Sequence, residues 1–339
     1  MSKLKHDKFF TKIDLSKGYW QIPVDAKSKH LTAFSTTEGT YQFRKMPFGM
    51  VNSGSTFNRM MRRLLHGCEN ADNYVDDILG HTETWEQHLL TLRDIFSRVR
   101  DAGLTLKPSK CLIGFGNIAF TGHVVGKGLM KMEEEKLDQI RDAERPKTKK
   151  QVRAFLGLAG YYRKFIPAFS DVAAPLTDLT KKGRPNQVDW QDEHERAFKT
   201  LKDMLTRSPI LRLPDFDKEF ILQTDASDSG VGAALLQRFE DGLFPIAYAS
   251  KKLLQREKNY SVIERECLAI VFGIKKFQKY LYGTHFVLQT DHAPLTYIQR
   301  CKIESGRIMR WALFLQNYQF RVEAIKGSEN VFADYLSRQ

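Results

Sequence analysis

Phe220-Ile221-Leu222-Gln223-Thr224-Asp225 and Phe286-Val287-Leu288-Gln289-Thr290-Asp291 are nearly the same six residues written twice. Each is a short apolar, β-prone run that stops abruptly at an Asp. Between them, Ser261–Tyr280 places Ile263, Ile270, Ile274 and Phe277 at helical spacing. Strand, helix and strand in that order suit a crossover, which predicts parallel strands with both Asp side chains at one sheet edge. Sites in such sheets form outside the carboxyl ends of the strands. Two carboxylates there repel unless a cation or a shared proton joins them; plain caps of helices or turns are the bland alternative. The intervening helix offers Glu264 and Glu266, which flank the apolar stripe on opposite sides, and both stay candidates. Asp334 closes Gly327-Ser328-Glu329-Asn330-Val331-Phe332-Ala333-Asp334, a start signal with a short terminal helix. Carboxylate sets of this kind bind hard cations such as Mg²⁺. Two such ions roughly 3.5–4 Å apart stabilise the attacking and leaving oxygens of a phosphodiester displacement.

The start of the chain repeats the logic with other parts. Asp14 follows the apolar run Phe9–Ile13, and Tyr74-Val75-Asp76-Asp77 lies between β-prone stretches where a tight hairpin would expose both carboxylates. Further β-rich runs are Gly39–Arg44 and Ile118–Val125, and helical patterns cover Ser53–Leu65 and Thr84–Ala102, which predicts a sheet covered by helices. The middle reads helical over Lys131–Ala143, Thr148–Tyr162, Ala173–Thr180 and Asp192–Thr206, with Pro146, Pro167, Pro175, Gly183 and Pro185 as breakers. From Pro209 strands return, in the order strand, strand, long helix, strand, helix, strand, short helix. The reading is a multidomain α/β (α+β) chain divided as 1–128, 129–213 and 214–339.

Charge and cysteine usage narrow the class. The 339 residues carry 53 Lys and Arg against 40 Asp and Glu, a net +13, which points to nucleic acid or another anionic partner. Residues 1–213 hold 36 basic and 25 acidic residues, so the excess lies mostly outside the last segment. The longest clean apolar stretch, Cys267–Ile274, is far short of the roughly 20 residues a span needs, so no membrane partner is expected. The first 15 residues alternate charged and apolar side chains and do not read as a signal peptide. Cys68, Cys111, Cys267 and Cys301 lie far apart without a CxxC, so neither a disulfide framework nor a zinc module is encoded. An intracellular setting follows, cytoplasmic or nuclear.

Taken together, Lys12-Ile13-Asp14-Leu15-Ser16-Lys17-Gly18-Tyr19-Trp20-Gln21-Ile22, Met46-Pro47-Phe48-Gly49-Met50, Tyr74-Val75-Asp76-Asp77-Ile78-Leu79 and Phe120-Thr121-Gly122-His123 resemble the reverse transcriptase of gypsy-type LTR retrotransposon Pol polyproteins. The stretch Phe155-Leu156-Gly157-Leu158-Ala159-Gly160-Tyr161-Tyr162-Arg163-Lys164-Phe165-Ile166-Pro167 looks like that family's thumb and connection. Thr224-Asp225-Ala226-Ser227, Ile246 to Leu253, Thr290-Asp291-His292 and Ala333 to Arg338 are similar to its ribonuclease H domain. The resemblance implies a polymerase palm with partial fingers in 1–128, a helical thumb and connection in 129–213, and a ribonuclease H-like mixed sheet with helices in 214–339. It implies an RNA-directed DNA polymerase joined to a ribonuclease H, acting on an RNA template, a DNA primer, dNTP and an RNA–DNA hybrid. Contact with other Pol domains or a second copy, and a place in a retrotransposon particle, are further expectations.

The implied roles fall on single positions. Asp14, Asp76 and Asp77 would hold two Mg²⁺ (Mn²⁺ as a substitute) for nucleotide addition. The main chain at Asp14 and Leu15 would pass the triphosphate, Tyr19 would exclude a ribose 2′-hydroxyl, and Phe48 and Gly49 would underlie the incoming nucleotide and template base. Tyr74 and the hairpin carrying Phe120, Gly122 and His123 would grip the primer. In the nuclease Asp225, Glu266, Asp291 and Asp334 would be the metal set; the match of Glu266-Cys267-Leu268-Ala269-Ile270 favours Glu266 over Glu264.

Three departures from the family pattern carry expectations of their own. Only 13 residues precede Asp14, where the family has extended fingers with basic residues for the triphosphate, so an impaired polymerase is expected. Asn52-Ser53-Gly54 replaces the family's Asn-Ala-Pro, and Ala324 stands where it often has Tyr. A non-catalytic nucleic-acid-binding remnant is the alternative. Asp228-Ser229-Gly230 has the aspartic-protease tripeptide but reads as a turn, Gly114-x-Gly116 lacks a phosphate-binding context, and His66 with Cys68 lacks two further zinc ligands. Met60, Met61, Leu64 and Leu65 read as a core-facing stripe.

Overall fold

The computed structural model describes residues 4–207, 210–290 and 306–325. The chain divides into two compact units, Met1–Gly128 and Leu129–Gln339.

In the first unit, β1 (Phe9–Asp14) is followed by the short helix α1 (Gly18–Gln21) and a small hairpin, β2 (Phe34–Thr36) with β3 (Gly39–Tyr41). Helix α2 (Ser53–Leu64) leads to β4 (Ala71–Tyr74), β5 (Asp77–Thr82), helix α3 (Trp85–Asp101) and β6 (Leu112–Phe115). The main sheet runs β4-β5-β1-β6, with β1 antiparallel to both its neighbours. Helices α2 and α3 bury Phe57, Met61, Leu92, Ile95 and Val99 against Ile13, Leu15 and Ile78. The stripe expected of α2 is present, with Met61 fully buried and Leu65 8% exposed. A second hairpin, β7 (Ile118–Phe120) with β8 (His123–Gly126), turns at Thr121 and Gly122, both at positive φ (50° and 73°). Two left-handed residues in a two-residue loop suit the right-handed twist of a hairpin, and Gly122 takes that conformation without a Cβ penalty.

The second unit opens with β9 (Leu129–Met132), which corrects the helix expected from Lys131. Met130 and Met132 are buried while Lys131 is exposed, a period of two, and the strand pairs with β10 (Leu211–Arg212). Between them lie helices α4 (Glu134–Arg141), α5 (Lys149–Tyr161), α6 (Phe169–Val172), α7 (Ala174–Leu179) and α8 (Asp192–Thr206). Thr148 caps α5 in a capping box with Gln151.

The nuclease-like sheet contains β11 (Phe220–Ala226), β12 (Gly230–Phe239), β13 (Gly242–Lys252), β14 (His285–Thr290) and β15 (Gln319–Ala324), in the order β13-β12-β11-β14-β15. Three strands, not two, precede the long helix. The extra edge strand β13 was hidden by Pro245, which sits where the register shifts opposite Leu235 and Leu236 and is tolerated only at such an edge. The long helical pattern divides into α10 (Val262–Lys276) and α11 (Gln278–Leu281), after a single turn α9 (Gln255–Lys258); α12 (Gly306–Leu315) precedes β15. Ile270, Val271 and Ile274 of α10 pack on Leu222, Ala233, Leu235 and Leu288, and Ala168 packs with Ile221, Ala234, Leu236 and Val287. Alternate residues of β11 therefore belong to different clusters. Among the described residues, no helix is long and apolar enough to cross a membrane.

Candidate active sites

The first carboxylate cluster is a product of strand register. Asp14, the last residue of β1, pairs with Asp77, the first of β5, and Tyr74 pairs with Asp77 across the β4–β5 turn. Val75 and Asp76 form that two-residue turn, and Val75 holds φ at +55°, a conformation that costs a β-branched residue on the order of 1–3 kcal/mol. The Leu15 amide donates to the Asp76 carbonyl at 3.4 Å, so β1 and the turn are tied at the point where all three carboxylates gather. The Asp14 carbonyl accepts from the Lys107 amide at 2.9 Å.

The electrostatics match the geometry. Burial pushes the Asp77 carboxyl above its ordinary value; Lys12 pulls it down, while Asp76 and Asp14 push it further up. Lys12 Nζ lies 3.1 Å from Asp77 Oδ2, and Lys110 Nζ lies 3.5 Å from Asp14 Oδ2. Asp14, Asp76 and Asp77 are near enough for Asp76 and Asp14 to act on the Asp77 charge, and lysines are drawn to two of the three, but among the described residues no three such side chains stand together closely enough to hold a metal ion. Sequence reading passed over both lysines. Lys12 was legible, since it lies two residues from Asp14 on the same strand face; Lys110, 96 residues away, was not.

Around this cluster the other candidate residues take definite places. Gly18 is packed so tightly that a Cβ there would lie 2.8 Å from the Phe57 ring and 3.5 Å from the Asp76 Cβ. The Tyr19 ring rests between Phe57 (5.2 Å) and Phe48 (5.3 Å). Phe48 is exposed and Gly49 follows it at φ +86°. Gln21 holds the segment after β1 in place: its side chain donates to the Ser16 and Thr105 carbonyls and accepts from the Thr105 amide at 2.7 Å. Tyr74 meets Phe120 edge to face at 6.3 Å. His123 is buried and its Nδ1–H donates to the Thr121 carbonyl at 2.8 Å, bracing the turn that contains Gly122.

In the second unit, the repeated hexapeptide is in register. Phe220 pairs with Phe286, Ile221 with Val287, Leu222 with Leu288 and Gln223 with Gln289, all parallel. A side-chain ladder reinforces this row: Gln223 donates to Gln289 at 2.9 Å, and Gln289 donates to Glu323 at 3.0 Å. Asp225 near the end of β11 and Glu266 on α10 are both 3% exposed. Glu264 is otherwise engaged, accepting from the Ser261 amide in a capping box and pairing with Arg307 at 2.8 Å. Ala324 ends β15 opposite Thr290. Asp291 and Asp334 lie outside the described residues. Asp228-Ser229-Gly230 is a turn, with the Ser227 amide donating to the Gly230 carbonyl at 2.9 Å and Asp228 paired with Arg265.

Residues 1–158 match the family described as reverse transcriptase (RNA-dependent DNA polymerase), and residues 215–318 match the RNase H-like domain found in reverse transcriptase. The whole chain is 41% identical to part of the retrovirus-related Pol polyprotein from transposon 297 of Drosophila melanogaster, covering 32% of that protein. It is 37% identical to the corresponding polyprotein from transposon 412 of the same organism, covering 27%, and 34% identical to the transposon Tf2-3 polyprotein of Schizosaccharomyces pombe, covering 26%. The chain thus spans about a third of the length of these relatives, or less. In structure it is similar to a foamy viral protease-reverse transcriptase solved with double-stranded DNA (TM-score 0.85, 25% identity, 94% of this chain and 57% of that one). A second structure of that viral protein, with an RNA/DNA hybrid, matches over all of this chain and 46% of its own at a TM-score of 0.83 and 24% identity, a likeness of fold. The chain thus carries a reverse transcriptase domain followed by the RNase H-like domain found in reverse transcriptases, in the arrangement of LTR-transposon Pol polyproteins.

Proposed function

We propose that this chain performs templated DNA synthesis in its first unit and hydrolyses the RNA strand of an RNA–DNA hybrid in its second. The observation that carries the reading is the register pairing of Asp14 with Asp77 beside Asp76, at a carboxyl whose pKa is raised by burial and its like-charged neighbours. Residues 129–213 act as thumb and connection in this reading, and dNTP, an RNA template and a DNA primer are the substrates.

Asp14, Asp76 and Asp77 would hold Mg²⁺, with Mn²⁺ as a substitute, which supplies the charge that neutralises a triphosphate and its leaving group. The primer 3′-oxygen forms a bond to the α-phosphorus as the bond to pyrophosphate breaks. Lys110 and Lys12 keep ammonium groups at the edge of the same site, where charge builds up as pyrophosphate leaves. The Tyr19 ring, backed by Phe57, is a rigid plate against which a ribose 2′-hydroxyl is rejected by sterics. In the second unit Asp225 and Glu266, with Asp291 and Asp334, would hold the same kind of cation for attack of water on the RNA phosphodiester. The setting in this reading is intracellular, cytoplasmic in a retrotransposon particle or nuclear.

One preparation tests both halves. Metal-dependent incorporation of dNTP on a primed RNA template and cleavage of a labelled hybrid are measured side by side, with Asp77→Asn and Glu266→Gln as single variants. Each variant is expected to remove one activity and spare the other. Background-level extension and cleavage by the wild-type protein, at any Mg²⁺ or Mn²⁺ concentration, favour the non-catalytic remnant instead.

A further inference from the structure

Helix α2 presents two opposite faces. At 100° per residue, Phe57 and Met61 define the buried side, and Phe57 reaches the ring of Tyr19 beneath the carboxylate cluster. Arg59, Arg62, Arg63 and the following His66 are all exposed and centred about 170° from Phe57, together with Ser55 and Asn58. No acidic residue occurs between Asn52 and Cys68, and among the described residues none of the three arginines has an ion-pair or hydrogen-bond partner.

This arrangement works against the helix that bears it. Arg59 lies three residues from Arg62 and four from Arg63, spacings at which like charges cost roughly 0.2–0.5 kcal/mol per pair. The ordinary structural task of a C-terminal arginine is already done from elsewhere. Arg98 of α3, held by Asp94 at 2.7 Å, donates to the Leu64 carbonyl at 3.1 Å and the His66 carbonyl at 2.7 Å. The helix dipole rewards Arg62 and Arg63 but not mid-helix Arg59. Three guanidinium groups therefore stand together with no partner among the described residues and no capping duty. Arginine forks match phosphate oxygens bidentately, and the hydroxyl and amide of Ser55 and Asn58 are further phosphate donors. The axial rises of about 4.5 and 6 Å between these arginines let successive phosphates of one strand be met in turn.

We infer that the outer face of α2 is a phosphodiester-binding surface that holds a nucleic-acid strand outside the catalytic cleft, on the side of the helix away from Tyr19 and the carboxylates. Its ligand chemistry is a run of backbone phosphates, independent of base sequence. The inference goes beyond the proposed activities and does not depend on them, since its test reads binding alone.

The test uses the full chain as wild type, as Arg59→Gln/Arg62→Gln/Arg63→Gln, and as the charge-preserving Arg59→Lys/Arg62→Lys/Arg63→Lys. Fluorescence anisotropy against a labelled 20-nucleotide oligouridylate and a 20-base-pair DNA duplex gives affinity from 50 to 200 mM salt. For three phosphates the slope of log affinity against log salt should fall by about 2 units in the glutamine variant, so that wild type loses about twentyfold more affinity across that range. The lysine variant should stay within half a unit of wild type, and thermal melting of the glutamine variant should not be lower, because repulsion has been removed. Loss on the oligouridylate arm assigns the surface to single strands, and loss on the duplex arm assigns it to double-stranded nucleic acid. Unchanged slopes on both arms overturn the inference. So does displacement of either probe from the wild-type protein by polyglutamate at equal charge concentration, which would make the occupant an acidic polypeptide.

Discussion

Asp77 is a residue whose chemistry and stability pull in opposite directions. Its carboxyl is raised by burial and by Asp76 and Asp14, so the ionised form is disfavoured in the folded protein despite Lys12. Replacing it with Asn removes the charge at little change in volume. The expected outcome is a higher melting temperature at pH 7 with nucleotide incorporation at background, a trade of stability against function. A lower melting temperature would mean that the Lys12 pair outweighs the repulsion. Two histidines nearby titrate with opposite signs. Burial alone would lower the pKa of His81, but its Nδ1–H donates to Asp7 at 2.7 Å and Nε2 lies 3.5 Å from Asp72, and these carboxylates raise it above 6.5. Its contribution to stability is therefore complete below pH 6.5 and is lost as pH rises through the raised folded value. His88, bonded to Thr11 and Thr82, is lowered by burial and then by the charge of His81, so its contribution is present above pH 6.5 and lost on acidification. Melting scans from pH 5 to 8 should show His81→Asn losing stability more steeply than wild type on acidification, and His88→Asn less steeply. Parallel curves for all three proteins would show that neither ring titrates in this range.

At the scale of elements, α10 shows how a cap and a buried carboxylate are told apart. Ser261 and Glu264 form a capping box, and Glu264 also pairs with Arg307, whereas Glu266 is 3% exposed. Glu264→Gln should cost about 1 kcal/mol or less of stability, since Gln still serves a capping box, and should leave the rate of hybrid cleavage within a factor of two. Glu266→Gln should keep the fold by circular dichroism and lose cleavage by at least a hundredfold. Equal effects of the two substitutions on cleavage would reject the separate roles. Sequence periodicity only leans toward Glu266, about 50° from the centre of the apolar stripe against about 110° for Glu264, and does not say what either side chain meets. What separates them is which neighbours the fold supplies, a capping amide and an arginine 43 positions away for one and burial for the other.

At the scale of the molecule the charge is unevenly spread: residues 1–213 hold 36 basic and 25 acidic residues, while the remainder is nearly balanced. Binding to an RNA–DNA hybrid should therefore be tolerant of sequence and weaken steeply with salt, with a slope of log affinity against log salt of about −4 or steeper, as for five phosphate contacts. Slopes near zero would mean that this charge serves only to solvate the surface.

The sequence by itself determined the local grammar: the strand that ends at Asp14, the strand that carries Asp225 near its end, the turn at Val75-Asp76, and the helices begun at Thr84 and Thr148. These follow from near-neighbour physics, apolar periodicity and caps, which any short window of chain contains. The internal echo was legible for the same reason, and parallel pairing of Phe220 with Phe286 followed from the helix between them. Tertiary structure alone decided the rest. Met130 and Met132 became a strand face because Leu211, some 80 residues on, supplied a partner. Lys110 came to Asp14 across 96 residues, Arg98 took over the end of α2 and left three arginines without a partner among the described residues, and Glu264 was drawn to Arg307. Each of these depends on which distant groups share a space, and charge and hydrogen bonding act through distance in space, to which periodicity along the chain is blind.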